Sequence, residues 1–166
     1  MIIREMYLNR LIEAKDTDLI KVVTGVRRSG KSTLLLMFKD YLTKNGIQSD
    51  SLIYMNFESA MYDNIKDYKD LYEHIKGKIN NKKTYLLLDE VQNVDKWEKA
   101  VNSLHVDFDI DIYITGSNAY LLSSELSTLL SGRYIEIKMY PLSFKEFLKF
   151  NNYDDNDLEN KFYEYL

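Results

Sequence analysis

Residues 25 to 32 combine glycines, a lysine and a serine at a spacing that can bind phosphate. They read Gly-Val-Arg-Arg-Ser-Gly-Lys-Ser, which matches G-x-x-x-x-G-K-[ST] at every fixed position. In such a loop the glycines let backbone N–H groups face an anion, the lysine reaches the β- and γ-phosphates, and the serine hydroxyl binds Mg²⁺. The segment therefore predicts a nucleotide-binding loop. Its candidate binding residues are Gly25, Val26, Arg27, Arg28, Ser29, Gly30, Lys31, Ser32 and Thr33.

A second chemically active group is the acidic pair Asp89-Glu90, which directly follows the apolar residues 85 to 88. Open parallel sheets bind ligands at the carboxyl ends of their strands, so Asp89 should emerge beside the phosphate loop. Ser32 and Asp89 are then the candidate metal residues, because Mg²⁺ prefers oxygen ligands and keeps part of its water shell. Glu90 is a candidate base for activating a water that attacks the γ-phosphate.

Further polar residues follow a later apolar segment, in the run Thr115-Gly116-Ser117-Asn118. Ser117 or Asn118 could orient the attacking water, or could cap the helix that we expect from Ala119 to Leu130. Arg133 could stabilise the transition state or form a surface ion pair. The sequence leaves both pairs of alternatives open. The candidate catalytic residues are Lys31, Glu90, Ser117, Asn118 and Arg133.

The composition limits the classes of function. The chain has 166 residues, of which 45% are hydrophobic, enough for the core of one domain. The net charge of −4 does not indicate a nucleic-acid-binding protein, although it does not exclude one. There is no cysteine, and His74 and His105 lack a second ligand at metal-binding spacing. With a charged N-terminus and no long apolar window, the chain is expected to be soluble and cytoplasmic, without a membrane span.

The spacing of apolar residues predicts alternating strands and helices. The predicted strands are Leu19–Thr24, Leu52–Phe57, Tyr85–Leu88, Ile110–Thr115 and Tyr134–Met139. The predicted helices are Arg4–Lys15, Lys31–Asn45, a stripe from Ile65 to Ile79, a helix capped by Asp95 with Glu98 three residues later, and Ala119–Leu130. Such alternation predicts an α/β fold in which parallel strands are joined by right-handed crossovers.

Taken together, these segments resemble the AAA-type ATPase domain of bacterial and archaeal ATPases that carry a C-terminal DUF4143 domain. The resemblance rests on residues 25–33, Leu-Leu-Leu-Asp-Glu-Val-Gln at 86–92, Trp97, Thr-Gly-Ser-Asn at 115–118, Ser-Gly-Arg at 131–133 and Tyr-Pro-Leu-Ser-Phe-Lys-Glu-Phe at 140–147. It covers nearly the whole chain. It implies a three-layer P-loop NTPase fold, the AAA+ core, with a five-stranded parallel sheet in the order 5-1-4-3-2, and it implies ATP and Mg²⁺ as ligands.

The same resemblance implies a role for each site residue. Lys31 and Ser32 would be the Walker A residues, and Asp89 and Glu90 the Walker B pair. A polar residue within 115–118 would be sensor 1. Asn56 would lie where related ATPases keep a polar residue that can hold the catalytic glutamate in an inactive pose. Arg133 would be an arginine finger acting on the nucleotide of a neighbouring subunit.

Residues 1–150 are expected to form the ATP-binding domain and residues 151–166 the start of a truncated C-terminal extension, because chains of this kind continue further. The implied partners are a C-terminal domain absent from this chain and other copies in a homo-oligomer. The expected function is an ATPase that couples hydrolysis to conformational change in an attached or partner domain. A nucleotide-dependent switch with little turnover and a small-molecule P-loop kinase remain alternatives, although no arginine cluster of the kinase type follows the third strand.

Overall fold

The computed structural model describes residues 4–80, 82–117, 126–153 and 158–165. Its strands are β1 (Ile20–Gly25), β2 (Leu52–Asn56), β3 (Thr84–Asp89), β4 (Ile110–Gly116) and β5 (Tyr134–Met139). Its α-helices are α1 (Glu5–Glu13), α2 (Lys31–Lys44), α3 (Tyr68–Lys76), α4 (Trp97–Asp107), α5 (Leu126–Leu129), α6 (Phe144–Phe150) and α7 (Leu158–Tyr165).

The five strands form one parallel sheet in the order β2-β3-β4-β1-β5, which confirms the predicted order 5-1-4-3-2. The three central strands β3, β4 and β1 are buried along their whole length. The outer strands β2 and β5 are only partly buried. This explains why the central strands read as almost continuous apolar runs, since both of their faces are covered.

Successive side chains of each strand enter two cores, one on each face of the sheet. Leu86 and Leu88 of β3 join a core that α3 and α4 cover, with Trp97 and Leu104 from α4. Tyr85 and Leu87 of the same strand join the opposite core, which α1 and α2 cover. The result is the expected three-layer α/β architecture.

A buried ion pair lies near the amino ends of the strands. Lys21 Nζ lies 2.5 Å from Oδ1 of Asp111, and both side chains are essentially inaccessible. Tyr113 donates its hydroxyl hydrogen to Oδ2 of Asp111 at 2.9 Å, and the backbone N–H of Asp16 donates to the same oxygen at 2.8 Å. The buried carboxylate is thus fully partnered, and the turn after α1 is attached to β4.

Two helix starts differ from the prediction. Asp95 does not cap α4, because the residue before that helix is Lys96, in a left-handed conformation with φ +54°. The Asp95 backbone N–H instead donates to the carbonyl of Lys66 at 2.9 Å, which ties Asp95 to the turn before α3. The helix expected over Ile65 to Ile79 is shorter, because Asp67 caps it in a capping box with Asp70.

The last two helices pack on each other through aromatic rings. Ser143 caps α6 in a capping box with Glu146, and Phe144 of α6 contacts Phe162 and Tyr165 of α7. The hinge expected near 151–157 and the helix expected from Ala119 fall partly outside the described residues. No helix among the described residues is long and apolar enough to cross a membrane.

Candidate functional site

The phosphate loop joins β1 to α2 at the carboxyl edge of the sheet, and its backbone requires glycine. Gly25 has φ +152° and Gly30 has φ +92°, and between them Arg28 also takes a positive φ of 66°. A Cβ on Gly25 would lie 2.4 Å from the carbonyl oxygen of Met139 and 2.9 Å from Ser29 Oγ. A side chain at this position would collide with β5, so the loop can close against that strand only through glycine.

Lys31 begins α2 and its side chain is buried within the loop. Its ammonium group donates to the carbonyl oxygens of Gly25 and Val26, each at 3.2 Å. The same ammonium lies 3.6 Å from Oε1 of Glu90. Lys31 and Glu90 therefore meet in one place, although they belong to two motifs that lie far apart along the chain.

Ser32 and Asp89 are also in direct contact. Ser32 Oγ donates to Oδ1 of Asp89 at 3.0 Å, and Thr115 Oγ1 donates to the same oxygen at 2.5 Å. The other oxygen, Oδ2, accepts from the Tyr54 hydroxyl at 3.1 Å. Burial, reinforced by the Asp89 carboxylate, holds the pKa of Tyr54 well above its usual value, so the phenol remains a donor.

Glu90 follows in a conformation that few non-glycine residues adopt, with φ +54°. Its backbone N–H donates to Thr115 Oγ1 at 3.0 Å, so Thr115 fixes Asp89 and Glu90 together. The carboxylate oxygen Oε2 accepts from Ser117 Oγ at 3.0 Å and from Gln92 Nε2 at 2.5 Å. Glu90 is only 7% exposed, so these contacts act where water screens them little.

A cleft of about 380 Å³ lies at the phosphate loop, with three cationic side chains and two carboxylates in its wall. Its wall includes the amino end of α2, where free N–H groups and the helix dipole favour an anion. The lining residues are Arg27, Arg28, Gly30, Lys31, Ser32, Thr33, Glu58 and Glu90. The cationic side chains and the free N–H groups at this cleft fit a phosphate chain.

A second, mainly apolar cleft of about 240 Å³ shares part of this wall. Arg28, Gly30 and Thr33 line both clefts, and the apolar cleft adds Met37 from α2 and Phe150 from α6. A flat apolar group could occupy it while a linked phosphate chain lies in the first cleft.

Arg4 connects the phosphate loop to α6. Its guanidinium donates to the carbonyl oxygens of Ser29 at 3.1 Å and Tyr140 at 2.7 Å. It also forms an ion pair with Glu146 at 2.9 Å and lies 4.6 Å from the ring centre of Tyr7. No sequence pattern indicated this contact, because Arg4 lies 142 residues from Glu146.

Other candidates lie elsewhere. Arg133 precedes β5, and its carbonyl accepts from Ile20 N–H at 2.9 Å, which places it at the amino edge of the sheet. The six-residue strand β1 separates this edge from the phosphate loop by about 16 Å. Asn56 Oδ1 accepts from the Glu58 N–H at 2.8 Å, and no described contact joins Asn56 to Glu90. Asn118 lies outside the described residues.

The donor set at the loop suits magnesium. Ser32 and Asp89 offer one hydroxyl and one carboxylate, hard oxygen ligands of the kind Mg²⁺ uses when water and phosphate complete its octahedron. Within the described ranges no group of three or more His, Cys, Asp or Glu residues could hold a metal by itself. Ser32 and Asp89 therefore fit a magnesium ion whose remaining ligands are water and phosphate oxygens.

Comparison with solved structures shows the same fold at low sequence identity. A DNA polymerase III gamma subunit-related protein from Thermotoga maritima superposes with a TM-score of 0.62 at 14% identity, over 93% of this chain and 52% of that one. DnaA from Aquifex aeolicus, solved with AMPPCP bound, gives a TM-score of 0.56 at 18% identity, over 98% of this chain and 57% of that one.

Sequence comparison finds nearer relatives. An uncharacterized protein of Haemophilus influenzae is 56% identical over 166 residues, which cover 98% of this chain but 42% of that protein. An uncharacterized protein of Methanocaldococcus jannaschii is 42% identical over 149 residues, covering 89% of this chain and 32% of the relative. The chain thus spans less than half the length of these relatives. The family model described as AAA domain matches residues 17–148, and the chain belongs to that family.

Proposed function

We propose that this chain is the ATP-binding, Mg²⁺-dependent ATPase domain of a larger protein. The observation that supports the proposal best is that Lys31, Ser32 and Glu90 line one cleft, where Lys31 pairs with Glu90 and Ser32 bonds the Asp89 carboxylate behind it. The four residue types and their positions suit phosphoryl transfer, which depends on positioning and on stabilising negative charge.

Each residue has a defined task in this proposal. Lys31 exchanges its ion pair with Glu90 for the β- and γ-phosphates, and the loop N–H groups bind the same phosphates. Ser32 and Asp89 would hold Mg²⁺, which would neutralise phosphate charge. Glu90 then accepts a proton from a water that attacks the γ-phosphorus, which yields ADP and inorganic phosphate. Ser117 donates to Oε2 of Glu90 and so keeps the Glu90 carboxylate in place.

The two adjoining clefts favour a nucleoside triphosphate over a simple polyphosphate. They share Arg28, Gly30 and Thr33, so a ligand with a phosphate chain and a flat apolar base fits both at once. The structure of DnaA holds AMPPCP, an ATP analogue, which supports the same ligand class here.

The energy of hydrolysis would act on an attached or partner domain. Arg4 gives a physical link, because it contacts the phosphate loop through Ser29 and α6 through Glu146. Arg133, at the opposite edge of the sheet, would serve a nucleotide bound by a neighbouring copy rather than its own. Mixing Lys31→Ala with Arg133→Ala should then restore part of the activity that each variant lacks alone, whereas no recovery would contradict the assignment in trans.

The direct test is a nucleotide titration of the wild type and Lys31→Ala, with thermal stability as the readout. A ligand that binds only the native state raises its melting temperature, so Mg²⁺ and ATP should stabilise the wild type and not the variant. An equal response in both proteins would contradict the phosphate-loop assignment.

Phosphate release separates the three candidate activities. An ATPase releases phosphate without an added acceptor, and Glu90→Gln abolishes this release while ATP still binds. A kinase would need an acceptor. Tight ATP binding with negligible release by the full-length protein would indicate a switch instead.

A further inference from the structure

Gln92 makes a short contact with the carboxylate of Glu90 that the motif itself does not explain. It lies in the one-turn 3-10 helix Val91–Asn93, and its Nε2 donates to Oε2 of Glu90 at 2.5 Å. The orientation of the amide is determined, because the opposite orientation would bring two oxygens equally close. Gln92 Oε1 is buried and has no partner among the described residues.

The contact with Glu90 determines the orientation of the Gln92 amide. Its Nε2 donates to a carboxylate oxygen, and a hydrogen bond to an ionised group is stronger than one between neutral groups.

The two oxygens of Glu90 have different surroundings. Oε2 accepts from both Gln92 and Ser117, whereas Oε1 is directed to Lys31 at 3.6 Å. The terminal torsion of a glutamate is soft, so without these donors the carboxylate would rotate freely. With Oε2 held twice, Oε1 is the oxygen left to receive a proton once Lys31 has moved to the phosphates.

We propose that Gln92 is a positioning residue that, together with Ser117, holds Oε2 of Glu90 so that Oε1 faces the phosphate cleft. The proposal rests on the proposed ATPase function. The Asn56 side chain, by contrast, accepts from the Glu58 N–H, and no described contact joins it to Glu90.

The chain offers a matched control, because it contains only two glutamines, Gln48 and Gln92. Gln48 also contacts a charged side chain, since its Oε1 accepts from Lys82 Nζ at 2.7 Å on the surface. Replacing either glutamine by methionine keeps the length of the side chain and removes its hydrogen bonds.

The kinetic test compares Gln92→Met with Gln48→Met. We expect Gln92→Met to lower kcat about tenfold while the Kd for ATP with Mg²⁺ changes by less than about twofold. Gln48→Met should leave both constants unchanged. An unchanged kcat in Gln92→Met would overturn the proposal. So would a lower kcat accompanied by weaker ATP binding and a lower melting temperature, since that result would indicate a general structural defect.

A spectroscopic test does not require turnover. Protein labelled with ¹⁵N in its glutamine side chains should give two amide pairs, one for each glutamine. The Gln92 amide proton should resonate downfield and move upfield in Glu90→Ala, while the Gln48 signals stay unchanged. If the Gln92 signals do not respond to Glu90→Ala, the contact is absent and the proposal fails. If they respond but the wild type shows no hydrolysis, the positioning contact stands and the proposed ATPase function fails.

Discussion

The ammonium group of Lys31 lies 3.6 Å from Oε1 of Glu90, and both side chains are at least nine-tenths buried. The residue that should bind phosphate therefore already has an anionic partner within the protein. A polyphosphate that binds to Lys31 has to replace Glu90 as the partner of the ammonium group.

This relationship predicts that Glu90→Gln binds ATP more tightly than the wild type. The substitution frees Lys31 and removes a negative charge beside the phosphates, which should favour binding by about 1 kcal/mol, or about fivefold. Isothermal titration calorimetry with Mg²⁺ present measures the change. Glu58→Gln is the control, because Glu58 lines the same cleft but forms no ion pair among the described residues. An affinity equal to or below that of the wild type in Glu90→Gln would contradict the prediction.

Tyr54→Phe tests the hydrogen bond to Oδ2 of Asp89. Without the hydroxyl, Asp89 is held through Oδ1 alone, so the Mg²⁺ concentration needed for half-maximal ATP binding should rise about tenfold. ATP binding in the absence of Mg²⁺ should not change. Tyr72→Phe is a matched control, because the Tyr72 hydroxyl donates to Asp107 at 2.7 Å on an exposed surface. The same Mg²⁺ dependence in the wild type, Tyr54→Phe and Tyr72→Phe would show that Tyr54 has no part in the metal site.

Gly25→Ala should destabilise the protein and abolish nucleotide binding. The added methyl group would lie 2.4 Å from the Met139 carbonyl, and we expect a loss of about 3 kcal/mol in the free energy of unfolding. Gly46→Ala isolates the backbone effect, because Gly46 has φ +88° but a methyl group added there would meet no atom within 4 Å. Gly46→Ala should lower the free energy of unfolding by about 1 kcal/mol. Urea denaturation measures both, and similar losses would argue against a collision at Gly25.

Stability at acidic pH should depend on Glu146. Burial raises the pKa of Glu146, but the Ser143 N–H and hydroxyl and the Arg4 guanidinium lower it more, so the net shift is downward from 4.5. A lowered carboxyl pKa contributes stability above pH 4.5 that is lost as the pH falls through the folded-state value. The decline in stability below this pH should therefore be shallower in Glu146→Gln than in the wild type.

Denaturation midpoints at about pH 6 and about pH 3.5 measure this difference. Glu13→Gln serves as the control, because Glu13 is exposed on α1 and forms no ion pair among the described residues. If Glu146→Gln and Glu13→Gln show the same pH dependence, the contact between Arg4 and Glu146 does not contribute in solution.

The sheet could be predicted from the sequence because its central strands are apolar on both faces. The five predicted strands lie within one or two residues of the observed ones, and their order followed from the family resemblance. The contacts among Lys31, Ser32, Asp89 and Glu90 agree with the expected grouping, because parallel strands bring their carboxyl ends to one edge. The roles of these residues remain predictions.

The partners of these residues were not predictable in the same way. Tyr54 reaches Asp89 because Asn56 pairs with Asp89 across the sheet, and Tyr54 lies two residues earlier on the same face of β2. Such a contact depends on strand register, which the spacing of apolar residues does not determine. The prediction that Asp95 caps α4 failed for a related reason. The Asp95 N–H donates to the carbonyl of Lys66, and no local sequence pattern indicates this contact.

The buried pair Lys21–Asp111 has a consequence for how variants of this protein can be interpreted. The pair lies near the amino ends of β1 and β4, whereas the cleft at the phosphate loop lies at the carboxyl edge of the sheet. No described contact joins the ion pair to the residues of that cleft. Breaking the ion pair leaves a buried charge and should lower stability by about 3–5 kcal/mol. A variant of Lys21 or Asp111 should therefore lose stability without a direct effect on the residues of the cleft.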